Sequence, residues 1–209
     1  MLELIVVSII IFLLVLVTEI LWRSKHYSNE LTRKFIHISL GTFAAFWPWF
    51  LSWNQIYILA GGAFALLLIS RSLTIFKTLH IINRKSFGEL FSVLAIGITA
   101  LTTHNRYIFM AAMLNLSLAD GLAAVVGSQA PKGWQYRVFG QRKSLPGTLA
   151  FLICSIGILL AYSFVAPHPS PFVLLLPVAG VACLVENIGI WGSDNVLIPL
   201  TVAVLLSLY

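Results

Sequence analysis

Long apolar runs separated by short polar segments fill nearly the whole chain, and they constrain its fold more than any other feature. A helix rises 1.5 Å per residue, so about 20 apolar residues cross the roughly 30 Å apolar layer of a membrane. We therefore predict an all-α integral membrane protein, a polytopic bundle of about eight transmembrane helices in a single domain, 1–209. The runs lie near residues 3–22, 35–52, 55–73, 88–104, 107–127, 147–166, 171–188 and 195–209.

The composition excludes an ordinary soluble domain. Hydrophobic residues make up 59% of the chain and charged residues only 10%, whereas soluble domains carry about 25% charged residues. The net charge of +6 would suggest nucleic acid only if the cations formed a patch on a soluble surface. Because they lie in segments between apolar runs, we expect no nucleic-acid partner. Cys154 and Cys183 lie in different runs without metal or redox spacing.

The cations are distributed unequally between alternate loops. One set of loops and flanking helix ends holds twelve of them, and the other set holds only Arg106. The positive-inside rule makes the basic side cytoplasmic, which places both termini outside. The compact chain without a transit peptide favours a bacterial plasma membrane. The twelve cations are Arg23, Lys25, Arg33, Lys34, Arg71, Lys77, Arg84, Lys85, Lys132, Arg137, Arg142 and Lys143.

Polar residues in or near the apolar runs gather toward this cytoplasmic side. Asp120 lies inside the fifth run, where a carboxylate costs about 2.5–3.5 kcal/mol, so a purely structural protein leaves it unexplained. The others each have a plain structural interpretation: topology determinants for Arg33 and Lys34, packing for His37, and interfacial positions for Glu89 and Glu186. Glu19, Lys143, Ser144, Asp194 and Asn195 approach the same side.

Helical spacing groups some of these residues on common faces. One set recurs at intervals of three and four residues and shares one face of the second helix. A second set surrounds Asp120 with small residues that permit close approach of another helix or a ligand. The first set is Glu30, Arg33, Lys34, His37 and Gly41, and the second is Ser117, Asp120, Ala124 and Gly127.

Cations, carboxylates and glycines at one face of a membrane suit a phosphorylated, metal-bound substrate. Phosphoryl transfer requires cations on the phosphates, a divalent metal and alignment of donor and acceptor. Mg²⁺ is commonly held by one or two protein carboxylates together with waters. The chain contains neither the Walker motif G-x-x-x-x-G-K-[ST] nor the kinase loop G-x-G-x-x-G, so a nucleotide site would be of another type.

Five blocks of sequence resemble the CTP-dependent lipid-alcohol kinases, which include phytol, farnesol and dolichol kinases and the CTP-using diacylglycerol kinase. The segment 30–37 followed by Gly41 is similar to the signature E-x-x-R-K-x-x-H-x-x-x-G of that family. The resemblance covers about residues 30–200, and the length is similar to that of compact phytol-kinase-like members. Four further blocks match in order: Gly88 and Glu89; Ala119, Asp120 and Gly121 with Gly127; Lys143 and Ser144 with Gly147 and Thr148; and Glu186 with Asp194, Asn195 and Pro199.

One block departs from the family pattern K-S-x-E-G-S. Pro146 replaces its glutamate and Thr148 its final serine, so this loop lacks the family's carboxylate. Asp120 and Glu89 would then hold the metal, or Glu186 would help.

The resemblance implies that the chain transfers the γ-phosphate of CTP to the hydroxyl of a lipid alcohol from the bilayer, with Mg²⁺ as cofactor. Asp120 would hold the metal, and Glu89 would be a second ligand or the general base. His37 would be a base, a phosphate donor or a scaffold, with orientation of the phosphates favoured. The groups expected near the nucleotide are Arg33, Lys34 and Lys143 on phosphate oxygens, and the backbone around Gly127, Ser144 and Gly147.

Two other functions compete with a kinase. Cytidylyl transfer to phosphatidate would use a similar scaffold and release pyrophosphate instead of CDP. A small cation- or proton-coupled transporter would use Asp120 and Glu186 as ion sites, but such transporters commonly show internal repeats, and none is visible in this sequence.

Overall fold

The computed structural model describes residues 2–23, 29–73 and 87–208. Side chains are described throughout these ranges except at residues 18, 19, 21–23, 29–33 and 70–73. The predicted polar segment between the third and fourth runs therefore lies almost entirely outside the described residues, as do the side chains of Glu19, Glu30 and Arg33.

Helices account for most of the described chain, so the all-α class is confirmed. Seven of the eight predicted runs match a helix to within about two residues at either end. The helices are α1 Leu2–Arg23, α2 Asn29–Ala45, α3 Trp53–Leu73, α4 Gly88–Thr102, α5 Arg106–Ser128, α6 Leu145–Val165, α7 Phe172–Ile188 and α8 Asp194–Ser207.

The prediction for the second helix, 35–52, is wrong at both ends. Helix α2 begins at Asn29 and ends at Ala45, and a short 3₁₀ turn, Trp47–Trp49, follows it. Pro48 lies in that turn. Proline lacks a backbone N–H and disfavours the α conformation of the residue before it. The helix therefore ends before the apolar run does. Lys34, which precedes the predicted run, consequently lies within α2, as does His37.

A π-helical segment interrupts α5 immediately before its buried carboxylate. The α-helical parts Arg106–Leu114 and Asp120–Ser128 flank the π segment Asn115–Ala119. Segments of this kind are rare and occur frequently at functional sites. The extra residue that a π turn accommodates rotates the following residues relative to an uninterrupted helix, and this rotation sets the direction in which Asp120 points.

A small antiparallel hairpin between α5 and α6 was not predicted. Strands β1 Gln135–Val138 and β2 Gln141–Ser144 pair with Tyr136 opposite Lys143 and Arg137 opposite Arg142. The turn between them, Phe139 and Gly140, has φ values of 46° and 79°. A short 3₁₀ turn, Lys132–Trp134, leads into β1.

Helix α5 lies at the centre of the bundle. It contributes buried residues to both apolar clusters of the core. One cluster includes α5 residues such as Ala112 and Ala119 together with residues of α6, α7 and α8. The other cluster includes Phe109 and Met113 together with residues of α1, α2, α3 and α4. The polar residues in the middle of α5, Asn115, Ser117 and Asp120, are therefore buried.

The outward faces of the bundle carry many large apolar side chains. Phe164 is 83% exposed and Val173 is 76% exposed, and similar residues occur along α1, α3, α6 and α7. Apolar areas of this extent are characteristic of surfaces that contact lipid. Helices α5 and α6 are long and apolar enough to cross a membrane, and five other helices contain shorter apolar stretches. These features indicate a membrane protein.

Candidate active site

Asp120 lies at the meeting point of α2 and α5. Its carboxylate Oδ2 accepts a hydrogen bond from Lys34 Nζ at 3.1 Å, and both residues are buried. His37 Nε2 lies 3.5 Å from the same oxygen and 3.1 Å from the backbone oxygen of Leu116. Because a carbonyl only accepts hydrogen bonds, Nε2 is the protonated nitrogen in that contact. The lysine and the imidazole thus lie beside one carboxylate.

Small residues allow α2 and α5 to come this close. A Cβ atom added at Gly41 would lie 2.6 Å from Cβ of Ser117, and the hydroxyl of Thr42 lies 3.2 Å from that of Ser117. Lys34, His37 and Gly41 all face α5, which confirms the common face predicted for these three residues. The set around Asp120 divides instead, since Ser117 and Asp120 face α2 whereas Gly127 faces α6.

A second charged group forms where the hairpin meets α7 and α8. Lys143 Nζ donates to Glu186 Oε1 and to the backbone oxygen of Glu186, both at 2.5 Å, and lies 3.9 Å from Asp194 Oδ2. Glu186 is buried, and its other oxygen, Oε2, has no hydrogen-bond partner among the described residues. A buried carboxylate oxygen without a donor is costly.

The two charged groups belong to one site. Lys143 lies 3.9 Å from Asp194. The adjacent Asn195 is joined through the backbone oxygen of Gly88 and the hydroxyl of Ser92 to His37, which lies beside Asp120. Lys34 and Lys143 offset the charges of Asp120 and Glu186. The arrangement gathers anionic oxygen ligands and cations into one buried region at the end of the bundle.

A series of hydrogen bonds joins α8 to α2 through α4. The side-chain amide of Asn195 donates to the backbone oxygen of Gly88 at 2.8 Å. The hydroxyl of Ser92 donates to the same oxygen, also at 2.8 Å, and lies 3.4 Å from His37 Nδ1. Asn195, which the family resemblance indicated, therefore fixes the first turn of α4. Glu89 lies in that turn and is half-buried.

Hydrogen bonds of Tyr136, which the sequence did not predict, hold the hairpin against α7. The hydroxyl of Tyr136 hydrogen-bonds to Asn187 Oδ1 and to Thr148 Oγ1, and Thr148 also donates to Asn187 at 3.1 Å. Asn187 directly follows Glu186 in α7. No spacing rule connects a tyrosine of a loop with an asparagine 51 residues later, so the tertiary structure was needed to find this pair.

The predicted glycines form the crossing of α5 and α6. A Cβ atom at Gly147 would lie 2.9 Å from the backbone oxygen of Ala123 and 3.2 Å from Cα of Gly127. The hydroxyl of Ser144 accepts from the backbone N–H of Gly147 and so caps α6. These three residues hold the base of the hairpin against α5, the helix that carries Asp120.

The structure thus brings together most of the residues expected at the site. Lys34, His37 and Asp120 form one group, and Lys143 with Glu186 and Asp194 forms the other. Gly127, Ser144, Gly147 and Asn195 hold the surrounding elements together. The side chain of Arg33 lies outside the described residues.

Comparison with known proteins identifies a relative across most of the chain. The phytol kinase of the cyanobacterium Synechocystis sp. is 34% identical over 198 residues, which cover 89% of this chain and 82% of that protein. No protein-family model matches the chain, and no solved structure matches it. The extent of the match shows that the chain belongs to the lipid-alcohol kinase family, among its phytol-kinase-like members, and is an enzyme that phosphorylates an alcohol.

Proposed function

We propose that this enzyme transfers the γ-phosphate of CTP to the hydroxyl of an isoprenoid alcohol dissolved in the membrane. Phytol is the first candidate acceptor, because the Synechocystis relative is a phytol kinase. Farnesol, longer polyprenols, dolichol and diacylglycerol are the other acceptors consistent with the family resemblance. The reaction forms a phosphate ester on the lipid oxygen and releases CDP, and the hydroxyl proton passes to a base.

The observation that carries the proposal is the buried charge arrangement at one end of the bundle. Lys34 and Lys143 lie beside Asp120 and Glu186, with Asp194 at the edge. A triphosphate brings several negative charges, which lysines offset, and a divalent cation, which carboxylates hold. We propose that the two lysines contact phosphate oxygens when nucleotide binds, together with Arg33.

The carboxylates fit a magnesium ion of the kind that nucleotide substrates bring with them. Within the described part of the chain, no three His, Cys, Asp or Glu side chains are grouped closely enough to form a complete metal site. Mg²⁺ at phosphoryl-transfer sites needs only one or two carboxylates, because waters and phosphates complete its coordination. We propose Asp120 as the first ligand, with Glu186, whose Oε2 lacks a partner among those residues, or Glu89 as the second. The ion would offset charge on the transferred phosphoryl group.

His37 and Glu89 are the candidates for handling the acceptor proton. The contacts of His37 with Asp120, Leu116 and Ser92 fix its ring, which favours a role in orientation of the phosphates. Glu89 lies half-buried in the first turn of α4, the turn that Asn195 fixes, and is the candidate base. The base accepts the hydroxyl proton as the lipid oxygen attacks phosphorus.

We propose that eight helices cross a bacterial plasma membrane, with both termini outside and the site on the cytoplasmic side. The distribution of cations supports this orientation, since Lys34 and Lys143 lie at the site end of the bundle whereas Arg106 begins α5 at the other end. Nucleotide would then enter from the cytoplasm and the alcohol from the bilayer.

A product assay tests the activity. Detergent-solubilised protein with Mg²⁺ is given γ-labelled CTP or ATP together with phytol, farnesol, a longer polyprenol or diacylglycerol. We expect label in a lipid monophosphate with CTP and phytol, and its absence with Asp120→Asn. Transfer from ATP alone would overturn the choice of nucleotide. Release of pyrophosphate with phosphatidate as acceptor would replace the kinase with a cytidylyltransferase.

A further inference from the structure

The outer face of the β1–β2 hairpin carries two arginines that repel each other. Arg137 stands directly opposite Arg142, and both are exposed. Like charges at opposed positions of paired strands destabilise the pairing. Neither arginine makes an ion pair with a residue that the structure describes. Tyr136 and Lys143, one position along each strand, point to the other face and contact α7, so the arginine pair faces away from the active site.

Exposed aromatic residues flank β1, the strand that carries Arg137, along the chain. Phe139 at the tip of the hairpin is 76% exposed, and Trp134 just before β1 is 54% exposed. Phe139 also has a φ of 46°, a conformation that bulky residues rarely adopt and that costs roughly 1–3 kcal/mol. Asn, Asp or Gly would suit the first position of such a turn far better. Folding alone therefore gives no reason for a phenylalanine at this position.

Cations next to aromatic rings match the chemistry of the lipid headgroup layer. Trp and other amphipathic rings concentrate at that level of a membrane, and Arg side chains form strong hydrogen bonds with phosphate oxygens. The hairpin joins the ends of α5 and α6, the two helices long and apolar enough to cross a membrane. It therefore lies where those helices leave the apolar layer. Lys132, also exposed, adds a third cation just before it.

We infer that the outer face of the hairpin, formed by Lys132, Trp134, Arg137, Phe139 and Arg142, docks on anionic phospholipid headgroups. The phosphates separate the charges of Arg137 and Arg142, and the rings of Trp134 and Phe139 enter the interfacial layer. This contact holds the inner face of the hairpin, with Lys143, close to the plane at which a lipid hydroxyl arrives. The inference concerns lipid binding and does not depend on the proposed nucleotide or acceptor.

Lipid retention by the purified full-length protein tests the inference. The protein is titrated in detergent micelles with phosphatidylglycerol or phosphatidylcholine, and bound lipid is counted by native mass spectrometry. We expect a preference for phosphatidylglycerol that falls about fivefold for each of Arg137→Gln and Arg142→Gln. Arg106→Gln removes the same charge at the opposite end of the bundle and should leave the preference unchanged. An equal loss with Arg106→Gln, or no loss with either hairpin variant, would overturn the inference.

Two further measurements distinguish lipid docking from a purely structural role of the ring and from binding of a soluble anion. Phe139→Asn provides the residue that the turn favours, so we expect a melting temperature at least as high as that of the original chain, together with weaker lipid retention. Retention that is unchanged or greater would contradict a role for the ring. Inorganic phosphate and CTP are each added at millimolar concentration as competitors. Displacement of phosphatidylglycerol by either one would assign the arginine pair to a soluble anion and overturn the lipid assignment.

Discussion

Tyr136 stands directly opposite Lys143 across the hairpin, and the two side chains contact the adjacent residues Asn187 and Glu186 of α7. Opposed residues of paired strands point to the same face. The tyrosine therefore fixes the face from which Lys143 reaches the carboxylates. Two successive residues of one helix hold the hairpin that supplies a cation to the site.

Replacement of Tyr136 by Phe removes the hydroxyl and keeps the ring. Loss of a hydrogen bond that supports a metal ligand commonly costs 10–100-fold, and Tyr136 bonds Asn187, the residue after the proposed ligand Glu186. We therefore expect KM for the nucleotide to rise about tenfold with little change in kcat. Steady-state kinetics in detergent measure both values. Tyr57→Phe is the matched control, because that hydroxyl also makes two contacts, to Ala100 and His104, at the far end of α4. If Tyr136→Phe and Tyr57→Phe change KM and kcat equally, the role of the Tyr136 hydroxyl is merely structural.

The substitution Asp120→Asn keeps the size of the side chain and removes its charge. If the carboxylate holds the metal, we expect kcat to fall at least about 100-fold, the magnitude typical of a lost electrostatic group at a reaction centre. Glu3→Gln, an exposed acid in α1, makes the same chemical change away from the site and should keep full activity. Full activity of the Asp120 variant would exclude Asp120 from catalysis.

The ion pair of Lys34 and Asp120 predicts a strong energetic coupling. Removal of one partner leaves a buried charge uncompensated and costs about 3–5 kcal/mol, whereas removal of both costs less. We therefore expect Lys34→Met combined with Asp120→Asn to be more stable than either single variant. Unfolding of all four proteins in one detergent gives the coupling energy. Additive effects, within about 0.5 kcal/mol, would show that the pair does not interact.

Two glycines of α6 should respond oppositely to replacement by alanine. Gly147→Ala places a methyl group against Ala123 and Gly127, so we expect a destabilisation of about 1–3 kcal/mol and a loss of activity as the hairpin shifts. Gly157 has nothing within 4 Å of an added Cβ, so Gly157→Ala should be neutral or stabilising by about 0.5–1 kcal/mol. Thermal unfolding compares the two, and similar melting temperatures would contradict a close crossing at Gly147.

Apolar periodicity and length predicted the helices well because burial and lipid contact both demand apolar residues. The same signal failed at α2, because Trp47–Trp49 is apolar but contains a proline that ends helical structure. It also missed the hairpin. The four residues of each strand are mostly polar, and Phe139 is an unusual residue for its turn, although Gly140 was an available signal.

The gathering of polar residues at one end of the bundle could be predicted, because a charged side chain inside a membrane is costly and usually has a function. The particular pairs could not be predicted. Lys34 meets Asp120 and Lys143 meets Glu186 because of how α2, α5 and α7 pack, and the π segment before Asp120 changes the direction of that side chain. Helical spacing alone therefore placed Gly127 on the face of Asp120, whereas the structure places it against α6.

The separation of 86 positions between Lys34 and Asp120 has a consequence for the order of events during synthesis. A ribosome completes α2, α3 and α4 before it makes Asp120, so the cation is already in place when the carboxylate emerges. Lys34 lies in the second turn of its helix, so its long side chain can extend the charge toward water until Asp120 is synthesised. Asp120, deeper in α5, has no such freedom. Because Lys34 is synthesised first, a counter-ion for Asp120 already exists in the chain when α5 is made.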